Sequence, residues 1–193
     1  MEYKNFKILV VCTGNLCRSP IAEHLLRAQI IELNLGDYWS VKSAGTQAVE
    51  GTSMDYKARQ ILHERDIDPV PNWTTTLLNA GNISEANLIL TAELDHRKQV
   101  VAFNPRAVTK VFTIRQFAEL ARLAAPLPAQ AREHLGAALL ESIVIARAQF
   151  QTTGSLLNIE DPLGQSIEQF RSCADEITCS ITTIVAPLAG NGA

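Results

Sequence analysis

Short apolar runs alternate along the chain with longer stretches in which apolar residues recur at a helical period. The run Phe6-Lys7-Ile8-Leu9-Val10-Val11 is apolar and partly β-branched, which predicts a buried strand. From Pro20 to Leu33 the apolar positions Ile21, Leu25, Ala28 and Ile31 follow a helical period, and Pro20 suits a first turn, where its missing N–H costs nothing. Tyr38 to Ala44 predicts a second strand and Ser53 to Arg65 a second helix. A third strand is expected at Asn87 to Thr91, leading into a helix from Glu93 to Val101. A fourth is expected at Val108 to Phe112, with a helix from Ile114 to Leu123 after it. Strands alternating with helices imply a parallel sheet covered on both faces, here an α/β, three-layer fold with a four-stranded parallel sheet.

The remainder reads as helical. Ala129 to Gln149 is rich in Ala, Arg, Glu and Leu, and Ile167, Phe170, Ala174, Ile177, Ile181, Ile184 and Leu188 form one stripe of a long amphipathic helix. Pro126-Leu127-Pro128 marks a local break rather than a linker, and repeats and low-complexity stretches are absent. The expectation is one domain over residues 1–193, with an extended helical segment at about 124–157.

Composition narrows the functional classes. Hydrophobic residues make up 47% of the 193 and charged residues 19%, enough for a core and no case for disorder. Seventeen Lys+Arg against twenty Asp+Glu give a net charge of −3, which excludes a generally basic nucleic-acid binder, so any anion must be held by a local site. Four cysteines are too few for a disulfide scaffold. The apolar run after MEYKNFK is too short for a signal-peptide core, and no stretch reaches membrane-span length. A cytoplasmic protein without membrane insertion is expected. His24, His63, His96 and His134 have no metal spacing, and no nucleotide fingerprint is present, so neither metal nor cofactor is implied.

The chemistry concentrates directly after the first strand, in Cys12-Thr13-Gly14-Asn15-Leu16-Cys17-Arg18-Ser19-Pro20. A loop that leaves the carboxyl end of a strand and enters a helix points backbone N–H groups inward and forms an anion nest. Gly14 allows the backbone to approach closely, and Arg18 adds a planar fork that can pair two phosphate-type oxygens. Cys12 would lie at the centre of the nest, where positive potential favours its thiolate. The arrangement places a nucleophile beneath a bound oxyanion.

Val11 to Pro20 closely resembles the phosphate-binding loop of the low-molecular-weight protein tyrosine phosphatases. Further similarity lies at Ser43-Ala44-Gly45-Thr46, at Ala86-Asn87-Leu88-Ile89-Leu90, and at Asn104-Pro105-Arg106 with Phe112 to Phe117. It ends with Glu160-Asp161-Pro162, and Ala124 to Leu157 is the least covered stretch. The resemblance implies that Cys12 attacks phosphorus to form a phosphocysteine, while Arg18 and the amides of Thr13, Gly14, Asn15, Leu16, Cys17 and Arg18 hold the equatorial oxygens. Asp161, in a loop stiffened by Pro162, matches the family's general acid. Ser19 would donate a hydrogen bond to the Cys12 sulfur and ease its departure, although serine at a helix start is also a common cap. Asn15 and Ser43 would fix the loop's geometry, or serve only as turn residues. The resemblance also suggests a reversible Cys12–Cys17 disulfide. Cys173 and Cys179, six apart on the last helix, cannot pair with each other there and read as small core or near-surface residues.

Departures from the family bear on substrate. Tyrosine-selective members line the cleft with aromatic residues after the Asp-Pro pair and in the loop after the second strand; here those places read Leu163-Gly164 and Gln47-Ala48-Val49-Glu50. A basic family segment is replaced by Trp73-Thr74-Thr75-Thr76-Leu77, in which Trp73 reads as a packed residue. Leu16 points the other way: protein arginine phosphatases of the family carry a small Thr there, and tyrosine-type members a branched aliphatic. The expected partner is a phosphorylated protein or small phosphomonoester of phosphotyrosine type. The alternatives are a protein arginine phosphatase and an arsenate reductase of the same fold. Thioredoxin-coupled reductases need two mid-chain cysteines, which are absent between Cys17 and Cys173; a form coupled to a small thiol needs only the loop cysteine.

Overall fold

A computed structural model describes residues 5–124, 126–127, 131–149 and 157–191. Four strands, β1 (Phe6–Cys12), β2 (Trp39–Gly45), β3 (Leu88–Thr91) and β4 (Val111–Thr113), form one sheet in the order β2-β1-β3-β4. Every pairing is parallel. The central strand β1 is buried on both faces, hence its near-continuous apolar sequence. Phe6, Ile8 and Val10 face one core with Trp39, Val41, Leu88, Leu90 and Phe112; Leu9 and Val11 face the other with Ala44, Ile89 and Val111. Two cores on opposite faces of one sheet make the three-layer arrangement expected from the alternating pattern.

The larger core is covered by α1 (Arg18–Glu32), α2 (Tyr56–His63), α5 (Ile114–Leu123), α6 (Leu135–Gln149) and α7 (Ile167–Val185). The smaller core is closed by Ile83 of α3 (Ala80–Glu85), Val100 of α4 (Leu94–Phe103) and Ala107. Along α7, Phe170, Ala174, Ile177, Ile181 and Ile184 are buried as the stripe predicts, and Leu188 is buried in the 3-10 turn that follows the helix. Within the expected helical segment at 124–157, the described part consists of a 3-10 turn at Arg132–His134 and α6; its other described residues are the caps Ala124 and Ala131, the loop residues 126–127, and Leu157. Residues 125, 128–130 and 150–156 lie outside the described residues.

Local chemistry shifts several boundaries. Helix α1 begins at Arg18 rather than Pro20, so Arg18 and Ser19 belong to its first turn. Helix α2 begins only after Asp55, whose side chain accepts the Lys57 N–H at 2.8 Å and caps it. Val108, expected in the fourth strand, lies in a 3-10 turn at Pro105–Thr109, where the Asn104 side chain accepts the Arg106 N–H at 3.1 Å. The short helix α3, closed by a reciprocal Asn79/Asn82 capping box, was not visible in the hydrophobic pattern.

Strand order reverses between β1 and β3, since β1 leads to β2 on one side and β3 to β4 on the other. The crevice outside the carboxyl ends of the strands at such a point is where open α/β sheets bind ligands. Residues 12–18 lie there.

Candidate active site

Residues Cys12 to Arg18 wrap the N-terminus of α1, and their carbonyls are tied to neighbouring segments. Thr46 N–H donates to Cys12 O and Gln47 N–H to Thr13 O, both at 2.9 Å; Asp55 N–H donates to Leu16 O at 3.0 Å, and Ile21 N–H to Cys17 O at 3.1 Å. The loop turns through Asn15, at φ +56°, a left-handed conformation that asparagine tolerates well. Gly14 is not left-handed, and a Cβ there would meet Leu16 side-chain atoms at 3.4 and 3.5 Å. The glycine demanded by close approach is Gly45, at the end of β2: a Cβ there would lie 2.5 Å from Thr13 O and 2.7 Å from Asn15 N.

A buried hydrogen-bond network centred on Asn15 supports the loop. Thr76 N–H donates to Asn15 Oδ1 at 2.8 Å, which orients the amide. Asn15 Nδ2 then donates to both Ser19 Oγ and Ser43 Oγ, each at 2.8 Å. The Ser43 hydroxyl donates to Glu23 Oε2 at 2.6 Å, and Trp73 Nε1–H donates to the same oxygen at 3.0 Å. The Ser19 hydroxyl accepts from Asn15 and has one proton to give; Cys12 Sγ lies 3.0 Å away and Ala44 O 3.5 Å away. The contact between the hydroxyl and the sulfur would stabilise a thiolate when Ser19 is the donor.

Arg18 is 1% exposed and held by acidic partners. Its Nη1 pairs with Glu93 Oε1 and donates to Ile159 O at 3.0 Å; its Nη2 donates to Asp161 Oδ2 at 2.6 Å and to Thr13 Oγ1 at 3.3 Å. Burial by itself would lower the guanidinium's pKa, but Asp161, Cys12 and Glu93 outweigh it and hold the group above its ordinary value. The segment carrying Asp161 is anchored at the sheet end: Ile159 N–H donates to Ala92 O at 2.9 Å, and Asn158 Oδ1 accepts from Leu94 N–H at 2.9 Å. Asp161 itself remains partly exposed and accepts from Leu163 N–H at 3.2 Å.

Cys12, Thr13, Asn15, Cys17, Arg18, Ser19, Ser43 and Asp161 are thus linked around one point, through direct bonds or through the loop backbone. Gly14 and Leu16 complete the loop between them. Both loop cysteines are buried free thiols; burial first, then the charges of Asp55 and Asp161, pushes the Cys17 thiol far up. Cys173 is buried and pushed up to about 12 for the same leading reason, and Cys179 is exposed. Trp73 packs against the large core and donates its Nε1–H to Glu23.

Three contributors were not read from the sequence. Glu93 holds Arg18; its signal was an acidic residue just past the third strand, in the ligand crevice. His96, expected only to cap, pack or face solvent, is buried and 2.9 Å from Thr13 Oγ1 through Nε2. Burial and the nearby Arg18 charge lower its pKa, favouring the neutral ring. Glu23 ends the chain that begins at Cys12, a role that depends on residues 20 and 50 positions away.

Comparison with known proteins bears directly on this geometry. The family model for low molecular weight phosphotyrosine protein phosphatases matches residues 7–144. The chain belongs to that family. A protein-arginine-phosphatase of Geobacillus stearothermophilus is 28% identical over 183 residues, 95% of this chain and 96% of its own. A low molecular weight protein-tyrosine-phosphatase of Acinetobacter johnsonii is 37% identical over 114 residues, 59% of this chain and 74% of its own. Among solved structures, the YwlE arginine phosphatase of G. stearothermophilus has a TM-score of 0.70 at 29% identity, covering 96% of this chain and 94% of its own. A low molecular weight protein tyrosine phosphatase of T. tengcongensis has a TM-score of 0.69 at 27% identity, covering 94% and 99%. The family places the chain among hydrolases that act on phosphorylated protein. No helix among the described residues is long and apolar enough to cross a membrane.

Proposed function

We propose that this phosphatase hydrolyses phosphotyrosine-type monoesters through a phosphocysteine on Cys12. The observation that carries the reading is the buried network Glu23–Ser43–Asn15–Ser19, which sets the Ser19 hydroxyl 3.0 Å from Cys12 Sγ at the foot of a loop in which the carbonyls of Cys12, Thr13 and Leu16 are bonded to neighbouring segments. The substrate phosphoryl group enters the loop, where the backbone N–H groups and the α1 N-terminus favour its charge. Arg18 Nε is buried without a protein partner and is available to a phosphoryl oxygen. The phosphate competes with Asp161 for Nη2, releasing the carboxyl group to face the leaving oxygen.

In the first step the Cys12 sulfur attacks phosphorus, the P–O ester bond breaks, and Asp161 gives its proton to the departing phenolate. In the second, Asp161 accepts a proton from water as the water oxygen attacks phosphorus. The P–S bond then breaks, with the electron pair returning to a sulfur stabilised by the Ser19 hydroxyl. No step calls for a metal or cofactor. Free buried thiols suit a reducing compartment, so we place the enzyme in the cytoplasm, with Cys12 and Cys17 as its redox-sensitive pair.

Phosphoarginine is the second reading, because the arginine phosphatase relative matches 95% of this chain while the A. johnsonii tyrosine phosphatase matches 59%. Leu16, a bulky aliphatic in the loop, favours the aryl ester. The test is a side-by-side assay of phosphotyrosine, phosphoarginine and thiol-coupled arsenate reduction. Preference for phosphotyrosine, independent of added divalent metal, supports the proposal. Preference for phosphoarginine or arsenate overturns its substrate assignment.

A further inference from the structure

Cys12 and Arg18 are 2% and 1% exposed, so whatever is esterified to the phosphate must extend past the rim of the loop. The rim carries exposed apolar side chains, and Tyr56 is the aromatic one, 71% exposed at the first position of α2. The residues on either side of it are bonded to the two halves of the site, one through its backbone and one through its side chain. The preceding residue, Asp55, donates its N–H to Leu16 O of the phosphate loop at 3.0 Å. The following residue, Lys57, donates from Nζ to Gln165 O, just beyond the Asp161 turn, at 2.5 Å. The same ammonium lies 5.6 Å from the centroid of the Tyr56 ring and 5.5 Å from that of Phe170, which fixes the tyrosine against one face. The tyrosine otherwise remains largely open to solvent. Val49 and Leu163, the apolar residues of the two loops to either side, are 74% and 46% exposed and offer no ring.

We infer that Tyr56 is the specificity-determining wall of the cleft: the aryl ring of the substrate packs on the exposed ring of Tyr56 while its phosphate is held by the loop. The inference rests on the phosphotyrosine reading above and names the residue that supplies the aromatic contact. Packing of two rings favours offset or edge-to-face geometry, which a ring held from one side by Lys57 can offer without reorganising.

The test compares Tyr56→Ala and Tyr56→Phe with the native enzyme on phosphotyrosine, 2-naphthyl phosphate and acetyl phosphate, which has no ring. Losing one aromatic contact should raise KM for the two aryl esters by about fivefold, more than it alters kcat, and more than it alters KM for acetyl phosphate. Tyr56→Phe should restore the aryl KM values. In Tyr56→Trp the indole emission should change on titration with a non-hydrolysable aryl phosphonate, relative to the native protein. Equal KM effects on aryl and acetyl phosphates, or none, overturn the inference while leaving the phosphotyrosine reading intact. Failure of the native enzyme to turn over either aryl ester overturns both.

Discussion

Replacing Asn15 separates two contributions that the loop combines. Its buried amide makes three hydrogen bonds, to Ser19, to Ser43 and from Thr76, each 2.8 Å long. At about 1 kcal/mol net for each, their loss costs about 3 kcal/mol. Asn15 also holds φ +56°, which costs an alanine about 1 kcal/mol more but costs glycine nothing. Asn15→Gly should therefore lower unfolding free energy by about 3 kcal/mol and Asn15→Ala by about 4 kcal/mol, measured by urea denaturation with the slope checked for constancy. Both variants should still fold, since domains of this kind have about 5–15 kcal/mol in reserve. Both should lose kcat on p-nitrophenyl phosphate by about a hundredfold, because Ser19 and the loop would no longer be fixed beneath the phosphate. A native-like Asn15→Gly would refute the hydrogen-bond argument. An Asn15→Gly less stable than Asn15→Ala would refute the left-handed one.

Other consequences are open to direct measurement. Gly45→Ala drives a methyl group into Thr13 O and Asn15 N, so it should cost about 1–3 kcal/mol and abolish turnover while far-ultraviolet circular dichroism stays native; retained activity would contradict the close approach. Asp161→Asn removes the carboxylate that competes with phosphate for Arg18, so inorganic phosphate should inhibit about threefold more tightly while rates on poor leaving groups fall more than on good ones; weaker phosphate inhibition would contradict the competition. Glu64 is hydrogen-bonded by Arg171 and Gln60, which brings its pKa from 4.5 down to about 2. A depressed carboxylate adds stability above its unfolded pKa and loses it as pH falls through the folded one. Glu64→Gln should thus flatten the decline of Tm between pH 4.5 and about 2, and an unchanged slope would show that the α2–α7 link has no effect.

The sheet was legible because a central parallel strand must be apolar on both faces, and β1 reads that way without help. Element ends were less legible. They depend on single side-chain bonds, such as Asp55 to Lys57 N–H or Asn104 to Arg106 N–H, that leave no periodic trace. The phosphate loop was readable because its chemistry is contiguous from Cys12 to Ser19. What supports it was not: Gly45, Glu93, His96, Glu23 and Thr76 come from four segments, the end of β2, the start of α4, the middle of α1 and the loop before α3. Asp161 was reachable from sequence only through resemblance, since an Asp-Pro pair by itself marks any turn. In the structure its place follows from Ile159 and Asn158, which fasten the segment to the ends of β3 and α4.

The claim on which the rest depends is that Cys12 carries the phosphoryl group. Rapid acid quench during steady turnover of p-nitrophenyl phosphate, followed by peptide mass analysis, tests it directly. The account predicts one phosphoryl group on the peptide containing Cys12, enriched in Asp161→Ala enzyme reacting with this good leaving group, and none in Cys12→Ser, which should also be inactive. Phosphate on another residue, or full turnover by Cys12→Ser, would contradict it.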